Sequence, residues 1–218
     1  VVGMLVSAFG AAPASANPAP PTAPLANALR ISQVYGGGGG SGYYLYDYAE
    51  VFNSGLSPVT LTGWSLQYGS ATGNFAASTS NLYAFPAGTT IPAGGFLVIA
   101  SDRENLMAKY PNLTTANTVG NFNGQLANSG EALRLEAAEV TVTTNGATLV
   151  TNTIYYTDSE VSYGTGGRWG RWSDGGGSSL ELVDANSDSR LAANWADSDE
   201  SAKSGWKTIE FTGPLDNG

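Results

Sequence analysis

Carboxylates, glycines and aromatic side chains are the groups in this sequence whose spacing could do chemistry, because the chain contains no histidine and no cysteine. Those two absences remove the usual general base, the commonest metal ligand and every Ser-His or Cys-His nucleophile arrangement. They also leave no disulfide. Gly37, Gly39 and Gly42 spell G-x-G-x-x-G directly after the strand-like run 29–35. A dinucleotide fingerprint needs a helix after its glycines, since the pyrophosphate rests on that helix's first amides. Here Tyr43-Tyr44-Leu45-Tyr46-Asp47-Tyr48 follows, which is aromatic and β-prone, and no Gly-Lys-Ser/Thr completes a phosphate loop. The glycines therefore read as a loop between two strands.

Asp47 and Glu50 are the carboxylate pair closest to an acid/base arrangement. Three positions apart on a strand, they point to opposite faces. Asp47 shares its face with Ala49 and Val51, and Glu50 lies between Tyr48 and Phe52. Glu50 is expected to be a partly buried, hydrogen-bonded carboxylate that fixes a neighbouring loop.

Asp184, Asn186 and Asp188 place oxygen side chains at alternate positions, the opening of a calcium loop. The pattern then fails: Ser189 stands where the glycine belongs and Trp195 where a bidentate Glu belongs. Asp197, Asp199 and Glu200 could complete a ligand set only by folding back, so the stretch reads as a solvated acidic turn. No metal ligand, cofactor or catalytic residue is assigned.

Arg168-Trp169-Gly170-Arg171-Trp172-Ser173-Asp174 precedes Gly175-Gly176-Gly177. Trp169 and Trp172 either close one end of a core or present rings on which a sugar could stack, and Tyr43, Tyr44 and Tyr46 could extend such a platform. Asn112-Leu113-Thr114 is a glycosylation sequon.

The elements that would position these residues are strands. At 218 residues the chain can fill one sheet-rich core. Turn residues recur every ten or so positions between β-rich runs at 29–35, 43–52, 59–68, 81–85, 96–100, 131–136, 149–156, 179–183 and 208–211. This predicts an all-β, antiparallel sandwich with sequential strand pairing. In the third run the apolar face switches near Gly63, which calls for a bulge or bend. One short helix is expected over 102–110, opened by a capping box of Ser101 and Glu104 and ended by Pro111.

A net charge of −9 with 12% charged residues disfavours binding to a phosphate backbone. The first residues run apolar and then give Ala14-Ser15-Ala16, the small-x-small pattern of a signal-peptidase site. Cleavage is expected after Ala16, with residues 1–16 as a leader lacking its basic start and residues 17–28 as a Pro/Ala-rich linker. The apolar run is too short to span a bilayer.

Taken in order, several stretches resemble the lamin tail domain, an immunoglobulin-like sandwich. Ile31-Ser32-Gln33-Val34-Tyr35 resembles its first strand, and Asp47-Tyr48-Ala49-Glu50-Val51-Phe52-Asn53 resembles its D-[aromatic]-[I/V]-E-[L/I]-[aromatic]-N strand. Val59-Thr60-Leu61-Thr62-Gly63-Trp64-Ser65-Leu66 is similar to the family's L-x-G-W-x-L signature, the most specific of these matches. Ile91 to Ile99, Leu126 to Leu135 and Asp174 to Glu181 resemble its later turns and strands. The departures are Ala49, where a larger β-branched residue is usual, and a long insert from Glu136 to Gly167.

The resemblance implies a domain over residues 29–200, followed by a C-terminal strand and linker over 201–218. It implies a non-catalytic binding or adhesion module of a secreted or cell-surface bacterial protein, accessory to another domain. Its expected partner is a protein or glycan surface, and the module itself is expected to be monomeric within a longer chain. A carbohydrate-binding module, or the N-terminal module of a secreted nuclease or phosphatase, is the alternative.

Overall fold

β-branched and aromatic runs with a period of two become strands throughout the structure, a computed structural model that describes residues 28–36, 46–70, 81–145 and 148–198. In chain order these are β1 (Leu29–Tyr35), β2 (Tyr48–Asn53), β3 (Val59–Thr60), β4 (Ser65–Ser70), β5 (Leu82–Ala84), β6 (Thr90–Ile91) and β7 (Phe96–Ala100). The helix α1 (Arg103–Lys109) follows, then β8 (Thr118–Gly120), β9 (Gly130–Asn145), β10 (Thr148–Gly164), β11 (Leu180–Leu182) and β12 (Trp195–Asp197). The leader, the glycine motif, Tyr43, Tyr44, Asp199, Glu200 and the expected strand over 208–211 lie outside the described residues. Among the described residues, no helix is long and apolar enough to cross a membrane.

Two sheets face each other. One has the order β12-β11-β1-β2-β7-β8, the other β10-β9-β4-β5, and β3 pairs separately with β6. The expected sequential antiparallel pairing holds in part: β1 pairs with β2, β4 with β5 and β9 with β10, but β1 also pairs with β11 and β2 with β7, and β7 pairs with β8 in parallel. The helix explains the parallel pair, since α1 carries the chain back to start β8 in the direction of β7. The core is shared by both sheets, with Ile31, Val34, Val51 and Ile99 from the first meeting Leu66, Tyr68, Leu133 and Leu135 from the second. Each such aliphatic side chain contributes about 1.5–3 kcal/mol on burial.

The face switch near Gly63 is a full break. The expected single run 59–68 is two strands in different sheets, separated by a turn in which Gly63 has φ +82° and Trp64 N–H donates to Leu61 O at 3.0 Å. The helix begins one residue later than the capping box predicts. Asp102 is the N-cap and accepts from Asn105 N–H at 3.0 Å, while Glu104 instead pairs with Arg103 at 2.7 Å.

The insert 136–167 is the largest departure from expectation. It folds as the outer part of a continuous β9–β10 hairpin, in register from Asn145–Thr148 down to Gly130–Gly164, with a bulge between Thr157 and Ser159. Strand β4 covers only Glu131 to Glu136 of β9. Beyond that point the two strands pair only with each other and run out from the sandwich as a two-stranded ribbon.

Candidate functional site

The polar positions of β2 show what this strand can do. Ala49, Val51 and Asn53, with Asp47 just ahead of the strand, form the buried face, and Tyr48, Glu50 and Phe52 form the outer face. Asp47 and Glu50 are thus on opposite faces, as the period of two requires. The loop-fixing role expected of Glu50 belongs to Asp47, whose Oδ2 accepts from Leu126 N–H at 2.8 Å. The sequence does not expose this partner, which lies 79 residues away. At the other end of the same face, Asn53 Nδ2 donates to Ser57 O at 2.9 Å, Ile91 O at 3.1 Å and Pro92 O at 3.0 Å. Its Oδ1 accepts from Gly55 N–H at 2.9 Å. Buried polar side chains are stable only when so satisfied, and these two tie separate loops to one strand.

Glu50 instead joins the outer face of the six-stranded sheet. Its Oε1 accepts from Ser32 Oγ at 2.9 Å, beside the bulge in β1. Gln33 Nε2 donates to Ser179 Oγ at 2.6 Å and to Glu181 Oε1 at 2.8 Å. Burial raises the Glu50 carboxyl above its ordinary range; the Ser32 hydroxyl opposes this, and the nearby Glu181 adds to it. Burial likewise raises the Tyr48 hydroxyl. Glu50, Gln33, Tyr48 and Tyr110, with Leu106 and Leu113 from the helical connection, line a pocket of about 240 Å³. Tyr48 stacks on Tyr35 with ring centres 5.5 Å apart, and Lys109 Nζ lies 4.4 Å from the Tyr46 ring centre. The arrangement offers acceptors and aromatic walls. The second carboxylate of this face, Glu181, lies across Gln33 from Glu50, and its Oε1 accepts from Gln33 Nε2 and Ser179 Oγ.

The two tryptophans of the glycine-rich loop part company. Trp169 packs against the core and meets Trp195 with ring centres 6.3 Å apart; Trp172 is 65% exposed. Between them, Asp197 caps a run of backbone donors. It accepts from Arg171 N–H at 2.9 Å, Trp172 N–H at 3.1 Å and Ser173 N–H at 2.9 Å. Such successive amides form an anion-binding concavity, and the chain's own carboxylate fills it. A Cβ on Gly170 would run into the Asp197 carboxylate, so a side chain there would have to displace this cap. From the sequence, Asp197 offers itself only as a possible calcium ligand.

The acidic turn is held by its own partners. Asp184 Oδ1 accepts from Asn186 N–H at 2.9 Å. Arg190 takes both oxygens of Asp188, Nε to Oδ1 at 2.9 Å and Nη2 to Oδ2 at 2.8 Å. The side-chain bonds from Arg190, helped by its backbone N–H, hold the Asp188 carboxyl down to about 2. A cation would have to displace that guanidinium. Among the described residues, no group of three or more acidic side chains could hold a metal ion. Asn112 of the sequon is exposed.

The model of the Lamin Tail Domain family matches residues 22–197 of the chain. Comparison with curated proteins finds no match.

Proposed function

This chain belongs to the lamin tail domain family, and on that premise we propose that it is a non-catalytic binding or adhesion module of an exported or cell-surface protein. The observation that carries the reading is the pocket on the outer face of the six-stranded sheet. It combines a desolvated carboxylate, two tyrosine rings and apolar floor residues, the mixture that recognition sites use to orient a partner. The other polar groups with chemical potential support the reading by being committed elsewhere: Asp47 to the Leu126 loop, Asp188 to Arg190 and Asp197 to the glycine-rich loop. Rigid strands present the pocket, and the partner is a protein or glycan surface that supplies hydrogen-bond donors to Glu50 and Gln33.

The test is a pair of assays on the whole chain. No turnover of nucleic acid, phosphoester or glycan is expected, and measurable turnover contradicts the proposal. On a glycan array, Tyr110→Ala is expected to weaken any binding at the pocket without lowering the melting temperature by more than a few degrees. A second reading, carbohydrate binding at the exposed Trp172, predicts instead that Trp172→Ala abolishes binding and Tyr110→Ala leaves it intact.

A further inference from the structure

A two-stranded ribbon in water is only marginally stable by itself, yet β9 and β10 carry one well clear of the sandwich. From Val140 to Thr157 the ribbon has no charged residue, in a chain whose net charge is −9. Natural edge strands are usually blunted by lysine, proline or inward charges. The outer part of β10, an edge strand of its sheet, has none of these.

The order of residues along that edge is the second observation. Thr148-Leu149-Val150-Thr151-Asn152-Thr153-Ile154-Tyr155-Tyr156 is nearly a palindrome of residue types about Asn152. An antiparallel pair related by a two-fold axis at Asn152 places each residue opposite its counterpart in the reversed order. Leu149 then meets Tyr155 of the second copy, Val150 meets Ile154 and Thr151 meets Thr153. Directly opposite residues share a face, so Leu149, Val150, Ile154 and Tyr155 each find an apolar neighbour and Thr151 meets Thr153, while the end pair sets Thr148 against Tyr156. Leu149, Ile154 and Tyr155 are each more than half exposed, and aromatic and β-branched cross-strand pairs are among those that stabilise sheets.

We propose that β10 pairs edge to edge with β10 of a second copy of this chain, joining the two ribbons into a continuous four-stranded sheet. The symmetry is isologous, so one pairing closes the assembly as a dimer. Charge favours this occupant. Two copies of an acidic protein repel, and along this ribbon they can approach without opposing like charges. The β10 segment from Thr148 to Tyr156 gives an edge about 31 Å long at about 3.4 Å per residue. An interface of that kind falls in the weak class below roughly 1,200 Å², so association is expected in the micromolar range. The proposal replaces the expectation of a monomer and is independent of the pocket on the other sheet.

The test is sedimentation of the full chain and of two variants. Wild type is expected to shift with concentration from 22.4 kDa to twice that mass. Thr151→Lys/Thr153→Lys sets lysine against lysine across the axis, and Thr151→Glu/Thr153→Glu sets glutamate against glutamate. Each alone is expected to stay monomeric with an unchanged melting temperature, and an equal mixture of the two is expected to recover the dimer. A wild type that remains monomeric well above micromolar concentration overturns the proposal. So does a mixture that fails to associate, a lysine variant that still dimerises, or a wild type that grows into larger, heterogeneous assemblies. Wild-type monomer that captures an unrelated extended peptide on β10 also contradicts it.

Discussion

The inner and outer halves of the β9–β10 hairpin share one backbone ladder but live in different environments. In the inner half, Leu133, Leu135, Val161 and Tyr163 are buried in the core, and β4 pairs with β9 along the other edge. In the outer half the same ladder continues without a break from Ala137–Tyr156 to Asn145–Thr148, yet Val140, Val142, Leu149 and Tyr155 face water. Backbone pairing is therefore not what separates the two halves. The inner half holds the fold through apolar burial, and the outer half keeps its apolar side chains available for another surface.

Substitutions should separate the halves most sharply in the core. Leu135→Ala is expected to cost about 2–5 kcal/mol, since a buried leucine leaves a cavity; denaturant titration checks this, and a loss like that of a ribbon substitution would erase the distinction. Asp47→Ala removes the acceptor for a buried Leu126 N–H and is expected to cost about 1–3 kcal/mol. Asp47→Asn, which keeps an acceptor oxygen, should recover part of that loss.

Glu131, on the inner half of β9, gives the body a pH dependence below neutrality. Burial raises its carboxyl from 4.5 to about 7; the Ala127 N–H opposes this, and the Asp47 charge adds to it. The folded chain then keeps a proton that the unfolded chain releases between these values. Stability is greatest at the acid end of that window and falls as pH rises from 4.5 to about 7, with Glu50 adding to the slope in the same direction. The Glu131 contribution is expected at about 1–2 kcal/mol, solvent at the rim screening the rest. Glu131→Gln should flatten the profile in melts run from pH 5 to pH 8 and should be the more stable protein at pH 8. The smallest effect is expected in the ribbon, where Val142→Thr should change stability by less than about 0.5 kcal/mol.

Much of the body was legible in the sequence. Strands β1 and β7 have the bounds their apolar runs set, and the break at Gly63 follows from a face switch that a single strand could not satisfy. The separation of Asp47 from Glu50 came directly from the two-residue period. What was not legible depends on distant partners. Strands β8 and β12 are three residues each, too short for a periodic signal, and exist because β7 and β11 lie beside them. Leu126 as the partner of Asp47, and the amides of Arg171 to Ser173 as partners of Asp197, come from chain segments brought together by the sandwich. The ribbon shows in the sequence only as an insert with one strand over 149–156, because its threonine and valine alternation has no buried face to mark its length.

Hydrogen exchange along β9 and β10, measured in dilute and in concentrated protein, tests most directly whether the body carries the fold and the ribbon carries recognition. In dilute protein, amides from Glu131 to Glu136 should exchange only at the global unfolding rate, and those from Ala138 to Asn145 and from Leu149 to Tyr156 orders of magnitude faster. Concentration should slow exchange in β10 of the ribbon and leave the inner half unchanged. Uniform protection along both strands in dilute protein, or a ribbon whose exchange ignores concentration, would contradict the account.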